Sequence, residues 1–256
     1  MQKLLLLIIA MIVSLFISSG TLKANDFQNT KTESETKTIA LENFASIDSE
    51  MVFNVEIVKS NEEKAVITSN YLQFVEVNVK NNTLKIGYTK GRSLENVETR
   101  IVIYAKDIKS VSAAVGSVVK IKDNFNIQKF STESGGKIFG DSNAKNIVIN
   151  TQSGGSVLGT VNTENLMLNA QSGSKIDIQG KIDSAKITCE GASRIIATKT
   201  NISVATVNAE SASSVTLSVS KELTASASSL AKIRYKTLSG IKFSASRSSG
   251  GTIDSI

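Results

Sequence analysis

The feature that most constrains this chain is a repeat of about nineteen residues in its second half. Aligned on a small residue followed four positions later by Ile or Val, the segments open with Val115-Gly-Ser-Val-Val119. Ser134-Gly-Gly-Lys-Ile138, Ser153-Gly-Gly-Ser-Val157, Ser172-Gly-Ser-Lys-Ile176 and Gly191-Ala-Ser-Arg-Ile195 follow. Ser211-Ala-Ser-Ser-Val215, Ser229-Leu-Ala-Lys-Ile233 and Ser249-Gly-Gly-Thr-Ile253 complete the series, at spacings of 19, 19, 19, 19, 20, 18 and 20. Self-similarity at a fixed period is the signature of an architecture built by stacking one unit on the next.

Neighbouring columns keep the same register. Four residues before each anchor stand Phe130, Ile149, Leu168, Ile187, Val207, Ala225 and Ala245. Two before it stand Thr132, Thr151, Ala170, Cys189, Ala209, Ala227 and Arg247, and between these columns lies a polar one of Ser131, Asn150, Asn169, Thr188, Asn208, Ser226 and Ser246. That is period-two alternation, so each stretch is predicted to be a strand with one face inward. The Gly-containing segment after each anchor supplies a corner, since Gly tolerates the φ values a corner needs. A chain that turns after each short strand and returns to the same column is a β-solenoid, each coil pairing only with its neighbours. At about 4.8 Å per coil, eight coils span roughly 35–40 Å. An antiparallel sandwich with strands every 8–12 residues is the alternative. It explains the strands but not the identity of the columns.

Composition agrees with an all-β chain. There is no Pro and no Trp, while the abundant β-branched and small polar residues suit a pleated surface. Pro is excluded wherever every N–H is used in a ladder.

Before the repeat the pattern changes. Residues 1–24 are expected to be a secretory signal peptide, with Lys3, an apolar run from Leu4 to Ile17, and small residues before a cut after Gly20 or Ala24. The apolar run is shorter than the ~20 residues that span a bilayer as a helix. Residues 25–38 are polar and charged and are expected to form a flexible leader. Residues 39–108 are expected to form a β-rich cap, and residues 109–256 the solenoid. Within the cap, Met51–Val58, the turn Ser60–Glu63 and Lys64–Thr68 read as one hairpin. Phe74–Val79, the turn Asn81-Asn82 and Thr83–Tyr88 read as a second, with the strand Thr99–Tyr104 after it.

Several chemistries lack their residues. No His is present, which removes the commonest general base and metal ligand. Cys189 is the only cysteine, so an intrachain disulfide is impossible, and its expected place is the core. Carbohydrate cleavage would need clustered carboxylates. The candidates are Asp141, Asp177, Asp183, Glu190 and Glu210, on coils too short to build cleft walls. Glu133, Gln152, Gln171, Glu190 and Glu210 share one column that should face outward. Calcium-binding nonapeptides are absent, Thr198-Lys-Thr200 is an isolated Thr-x-Thr pair, and the Gly-Gly pairs precede no helix that would make a phosphate site. No cofactor, metal or catalytic residue is expected.

Loss of Lys3 and Lys23 with the signal peptide would take the net charge from +6 to +4. Residues 25–110 hold 11 basic and 13 acidic side chains, and residues 111–256 hold 16 and 10. The scattered Lys and Arg do not suggest nucleic acid as a partner. A mildly basic face could meet an anionic polysaccharide or a membrane surface.

The run from Phe44 to Val58, the segment NNTLKIGY, the strand TRIVIYAKDIKSVSAAVGSVVKI and the Ser-Gly-Gly coils that follow resemble one bacterial family. It is described as "putative autotransporter adhesin, head GIN domain", and the resemblance covers nearly all of residues 40–256. It implies a β-solenoid, export, and an envelope or adhesive role, with no functional residues to carry over. The expectation is therefore an exported, non-enzymatic interaction scaffold in the periplasm, on the cell surface or secreted. Its partners would be polysaccharide or protein. The alternative is a structural module that assembles end to end through its last coil, GGTIDSI.

Overall fold

The computed structural model describes residues 33–91, 93–237 and 240–256. The expected signal peptide lies outside them. Residues 33–256 form one compact unit that is nearly all β, with a single 3-10 turn at Leu72–Phe74.

Two walls of parallel strands run the length of the stack. The first is built from β2 (Ser46–Ser49), β6 (Thr83–Tyr88), β8 (Ser110–Ala113), β10 (Lys129–Thr132), β12 (Asn146–Thr151) and β14 (Thr163–Ala170). The second is built from β3 (Asn54–Lys59), β7 (Thr99–Ala105), β9 (Val118–Ile121), β11 (Lys137–Phe139) and β13 (Ser156–Thr160). Three long strands, β15 (Lys175–Cys189), β16 (Arg194–Ala209) and β17 (Ser214–Ala227), start in the second wall and end in the first wall of the next coil. The stack closes with β18 (Lys232–Lys236) and β20 (Thr252–Ser255) in the second wall and β19 (Lys242–Arg247) in the first. Partner registers fall where the columns predict: Ser131 pairs with Asn150, and Asn150 with Asn169. The solenoid reading holds and the sandwich does not.

The core is a ladder of β-branched residues. Val55, Val119, Ile138, Val157, Ile176, Ile195, Val215, Ile233 and Ile253 form one line of partners, none more than 3% exposed. Facing them, Phe130, Ile149, Leu168, Ile187, Val207 and Ala225 are equally buried. Each large member contributes about 1.5–3 kcal/mol by leaving water. The expected inward columns fail only at the last coil, where Ala245 and Arg247 are exposed because no further coil covers β19.

The corners differ from the expectation in one respect. Two consecutive residues, the anchor and its successor, hold positive φ: Ser134 at 49° and Gly135 at 76°, Ser211 at 56° and Ala212 at 58°, Ser229 at 52° and Leu230 at 64°. The residue two positions past the anchor donates its N–H to the carbonyl of the residue before the anchor, as Gly136 does to Glu133 at 2.9 Å. This is the type I′ arrangement, whose twist matches that of the strands it joins. The corners also stack: the N–H of Gly135 reaches the carbonyl of Ser153, and that of Gly154 the carbonyl of Ser172. Axial hydrogen bonds thus hold Ser, Ala and even Leu230 in a conformation that Gly adopts freely.

Just inside the corners runs a buried polar seam. The hydroxyls of Ser49 and Ser117 lie 2.7 Å apart, those of Thr151 and Ser174 2.9 Å apart, and Ser213 donates to the Cys189 carbonyl at 2.8 Å. Where the second partner is Gly155, the buried Thr132 hydroxyl is left without a hydrogen bond. Cys189 is free and buried, and burial pushes its thiol up to about 11.

The N-terminal part departs from the expected hairpins. β3 does not pair with β4 (Lys64–Ser69). Instead β7 lies between them, parallel to β3 and antiparallel to β4. The coil made by β2 and β3 is enclosed by β6 and β7 on one side and by β8 and β9 on the other. Spatial order therefore breaks sequence order, and the link Lys106–Lys109 carries the chain past an already placed coil. Hydrogen bonds from Lys109 N–H to the Ala45 carbonyl, 2.8 Å, and from Ser60 N–H to the Ala105 carbonyl, 2.9 Å, fasten that crossing. The second hairpin forms as expected, with β5 (Val75–Lys80) antiparallel to β6 and Asn81 and Asn82 both at positive φ. Of the expected leader, residues 25–32 lie outside the described residues and residues 35–38 are not a leader but part of β1 (Glu35–Ala40), which pairs antiparallel with β4.

Candidate functional site

The most developed polar surface lies on the first wall beside the corners. Ser131, Asn150 and Asn169 form one outward column, and Glu133, Gln152 and Gln171 form the next. Together they border a shallow groove of about 420 Å³. The alternation that buries Phe130 and Thr132 turns Ser131 outward. The type I′ turn then places its first residue at the rim.

Stacked amides are tied along the axis. Asn169 Nδ2 donates to Asn150 Oδ1 at 2.8 Å, and Gln171 Nε2 to Glu190 Oε2 at 3.2 Å. The pattern recurs at Asn165 to Asn146, 2.8 Å, and Asn162 to Asn143, 2.9 Å. Each such bond uses one donor and one acceptor of a side chain that has more of both. The remaining groups face the groove as donors and acceptors in fixed positions. That chemistry suits a ligand rich in hydroxyl or amide groups.

The expected column Glu133, Gln152, Gln171, Glu190 and Glu210 does share one edge and points outward. Axial hydrogen bonding between stacked Asn, Ser and Thr side chains is what such columns lead one to expect, and the amide ladder realises it at Asn150 and Asn169. Its signal was present in the matched Asn150 and Asn169 at 19-residue spacing.

The carboxylates considered for catalysis do not converge. Asp141, in the segment after β11, accepts the Thr160 N–H at 2.6 Å. Asp177 sits on the second wall in an ion pair with Lys175 at 3.0 Å. Asp183 is exposed near the middle of β15, while Glu190 and Glu210 lie at the corners of successive coils. Among the described residues no group of three or more Cys, Asp or Glu side chains is placed to hold a metal ion.

A second, smaller depression of about 240 Å³ lies on the second wall, between Asn54, Glu56, Arg100, Val118 and Lys120. Arg100 Nη2 donates to Glu56 Oε2 at 2.9 Å, and this bond holds the Glu56 carboxyl below the usual carboxylate range despite some desolvation.

Solved structures share this fold. A "putative adhesin" from Parabacteroides merdae is 15% identical, with a TM-score of 0.80 over 88% of this chain and 97% of its own. A "putative lipid binding protein" from Parabacteroides distasonis is 18% identical, with a TM-score of 0.78 over 88% and 98%. A "putative adhesin" from Bacteroides fragilis is 19% identical, with a TM-score of 0.66 over 88% and 97%. At these identities the likeness is one of fold. No curated protein matches the chain. The sequence model of one family matches residues 43–237, spanning β2 to β18 whole, and that family is described as an adhesin and not as an enzyme. The chain thus belongs to the family "Putative auto-transporter adhesin, head GIN domain".

Proposed function

We propose that this protein is an exported, envelope-associated scaffold that holds an extended polysaccharide or protein ligand along a face of its solenoid. The observation that carries this reading is the amide ladder beside the first-wall corners. There, two successive coils present the same pair of side chains, Asn150 with Gln152 and Asn169 with Gln171, so a ligand with a repeating backbone meets like groups at both. The signal-peptide pattern of residues 1–24 and the adhesin description of the family support it. Fixed side chains lose little freedom on binding, which favours such pre-ordered surfaces.

The test uses the chain from Asn25 onward on a glycan array and in pull-downs from envelope fractions. A ligand is expected whose binding falls at least ~10-fold in the double variant Asn150→Ala/Asn169→Ala, with thermal unfolding measured alongside. Absence of any ligand, or binding indifferent to both asparagines in a folded variant, would remove this reading.

One observation favours a second reading, end-to-end assembly. The outer edges of β19 and β20 have no strand partner among the described residues, and Phe243 is 40% exposed while stacked on Tyr235 at 5.1 Å. Open edges of this kind accept strand addition. Sedimentation over a concentration series should show self-association, lost in Phe243→Lys; a monomer at all concentrations would dismiss it.

A further inference from the structure

The second wall carries a line of charge that the amide groove does not use. One row of Cα partners crosses it coil by coil and contains Arg100, Lys137, Lys175, Arg194 and Lys232, with no Asp or Glu in the row. Alternation points this row outward. Arg100, Lys137, Arg194 and Lys232 are exposed, and Lys175 is partly so. Ser156 and Ser214 fill the gaps between cations. From Lys137 onward neighbouring charges are therefore one or two coils apart, about 5 or 10 Å, and Lys137 to Lys232 covers roughly 24 Å, while Arg100 stands three strands, roughly 14 Å, from Lys137.

Two members of the row are paired within the wall: Arg100 with Glu56 and Lys175 with Asp177. Lys137, Arg194 and Lys232 have no ion pair among the described residues. Two positions along the same strands from Lys137, Ser156 and Arg194 stand Phe139, Leu158 and Ile196, on the same outward side. Phe139 is 37% exposed, and Asp177 stands between Leu158 and Ile196 in this line.

We propose that this row is the docking line for a linear acidic polysaccharide, carboxylated or sulfated, lying parallel to the solenoid axis. The anionic groups of such a chain recur at intervals of one or two sugars. A row of cations along the axis meets them without bending the polymer, and Phe139 and Leu158 on adjacent coils beside it accept the C–H faces of the rings. Close opposite charges steer the encounter and hold the register. An anionic bilayer would be gripped by a continuous apolar face beside the cations, and here the Asp177 carboxylate interrupts the apolar residues. The inference rests on the reading that the protein meets extended polymers outside the cytoplasm, and it names the wall and the ligand class.

The experiment measures binding of the chain from Asn25 onward, which contains the whole compact unit Glu33–Ile256, to polygalacturonate and to a sulfated polysaccharide. Dextran, a single-stranded oligodeoxynucleotide and phosphatidylglycerol vesicles run beside them. The triple variant K137S/R194S/K232S uses serine because serine already occupies this row. It is compared with K85S/K129S/K186S, which removes the same charge from the first wall. Binding to the acidic glycans is expected to weaken with salt and to fall at least ~10-fold in the second-wall triple. The first-wall triple should lose less than ~2-fold. Equal losses in the two triples would reduce the effect to net charge and overturn the proposal. Second-wall-dependent binding of the oligonucleotide or the vesicles without the acidic glycans would overturn it as well. If neutral glycans bind through Asn150 and Asn169 while acidic ones ignore the row, this inference alone falls. If no glycan or envelope protein binds at all, the broader reading falls with it.

Discussion

The coils from β8 onward and the coils before them use the same core and obey different rules of order. From β8 to β20 each coil stacks on the one just before it in sequence, so contacts are made about nineteen residues apart. The coil of β2 and β3 is covered by strands that arrive 37 to 64 positions later, on both of its sides. A repeat stack is a nearest-neighbour object, and its pattern can be read column by column. The N-terminal end is a small non-local assembly that pays more loop-closure entropy before its contacts form. It also ends differently. Antiparallel β1 and β5 finish the two walls there, with Glu35, Lys37, Glu76 and Lys80 on the outer strands, whereas β19 and β20 have no partner on their last edges among the described residues. Charged outer strands discourage further pairing.

The sharpest way to test this contrast is to cut the core at an enclosed coil and at a terminal one. Ile57→Ala removes a fully buried side chain covered by coils on both sides, and should cost about 3–5 kcal/mol in urea unfolding. Ile253→Ala, on the last coil, should cost less than half of that. Equal losses would mean that the enclosed coil is no more tightly held than the open end.

Close stacking in the regular part gives the next effect. A Cβ at Gly159 would stand 1.8 Å from the Gly140 carbonyl oxygen on the adjacent coil, while one at Gly154 meets open space. Gly159→Ala should destabilise by about 3 kcal/mol through overpacking. Gly154→Ala should cost about 1–2 kcal/mol, because it strains only a left-handed residue. Parity between the two would show that the coils can part without loss.

Cys189 probes the interior of the regular stack. Its folded thiol titrates near 11, against a reference of 9.0, because burial disfavours the thiolate. Between those values the unfolded chain releases the proton first, so stability must fall as pH rises. The wild type should lose about 2 kcal/mol more than Cys189→Ala between pH 9 and 11. In the native protein at pH 8 the thiol should react with a thiol reagent only as fast as the chain opens; rapid labelling would place Cys189 outside a closed core.

Corner strain is smaller. Val115 is β-branched, 50% exposed and held at φ 50°. Val115→Asn should stabilise by about 1 kcal/mol, since Asn tolerates the left-handed region, and a rise in melting temperature would show it. The smallest effect belongs to Glu56 at the N-terminal end. Its lowered pKa means that the Arg100 contact stabilises the fold above the ordinary carboxylate range and ceases to do so as pH falls through the folded value. Arg100 is well exposed, so Glu56→Gln should change stability by less than ~1 kcal/mol at pH 7. The difference should vanish in acid.

How far the sequence could be read follows from these two regimes. The column Val119, Ile138, Val157, Ile176 was legible because each member is buried by a copy of its own environment one period away. The outward row of Glu133, Gln152 and Gln171 was legible for the same reason. The pairing of β3 with β7 was not. Met51–Val58 and Lys64–Thr68 are separated by a good turn, and local turn chemistry favours a hairpin; only the insertion of a strand from residues 99–105 defeats it. The type I′ corners were half legible, because Ser-Gly marks a turn but not that the Ser itself takes the left-handed conformation.

The basic row of the second wall shows the same division from the side of function. Composition showed an excess of Lys and Arg after residue 110 and showed it as scattered. Stacking at a fixed period lines up Lys137, Arg194 and Lys232, and the non-local pairing of β7 with β3 and of β3 with β9 adds Arg100 to the row.

By itself, the amino-acid order determined the period, the inward columns and the all-β character, because each of these depends on interactions a short, constant distance along the chain. The tertiary structure alone decided which strands enclose the first coil, how each end of the stack is finished, and which exposed side chains share a row. Those outcomes depend on segments far apart in sequence competing for one edge, and no local preference records who wins.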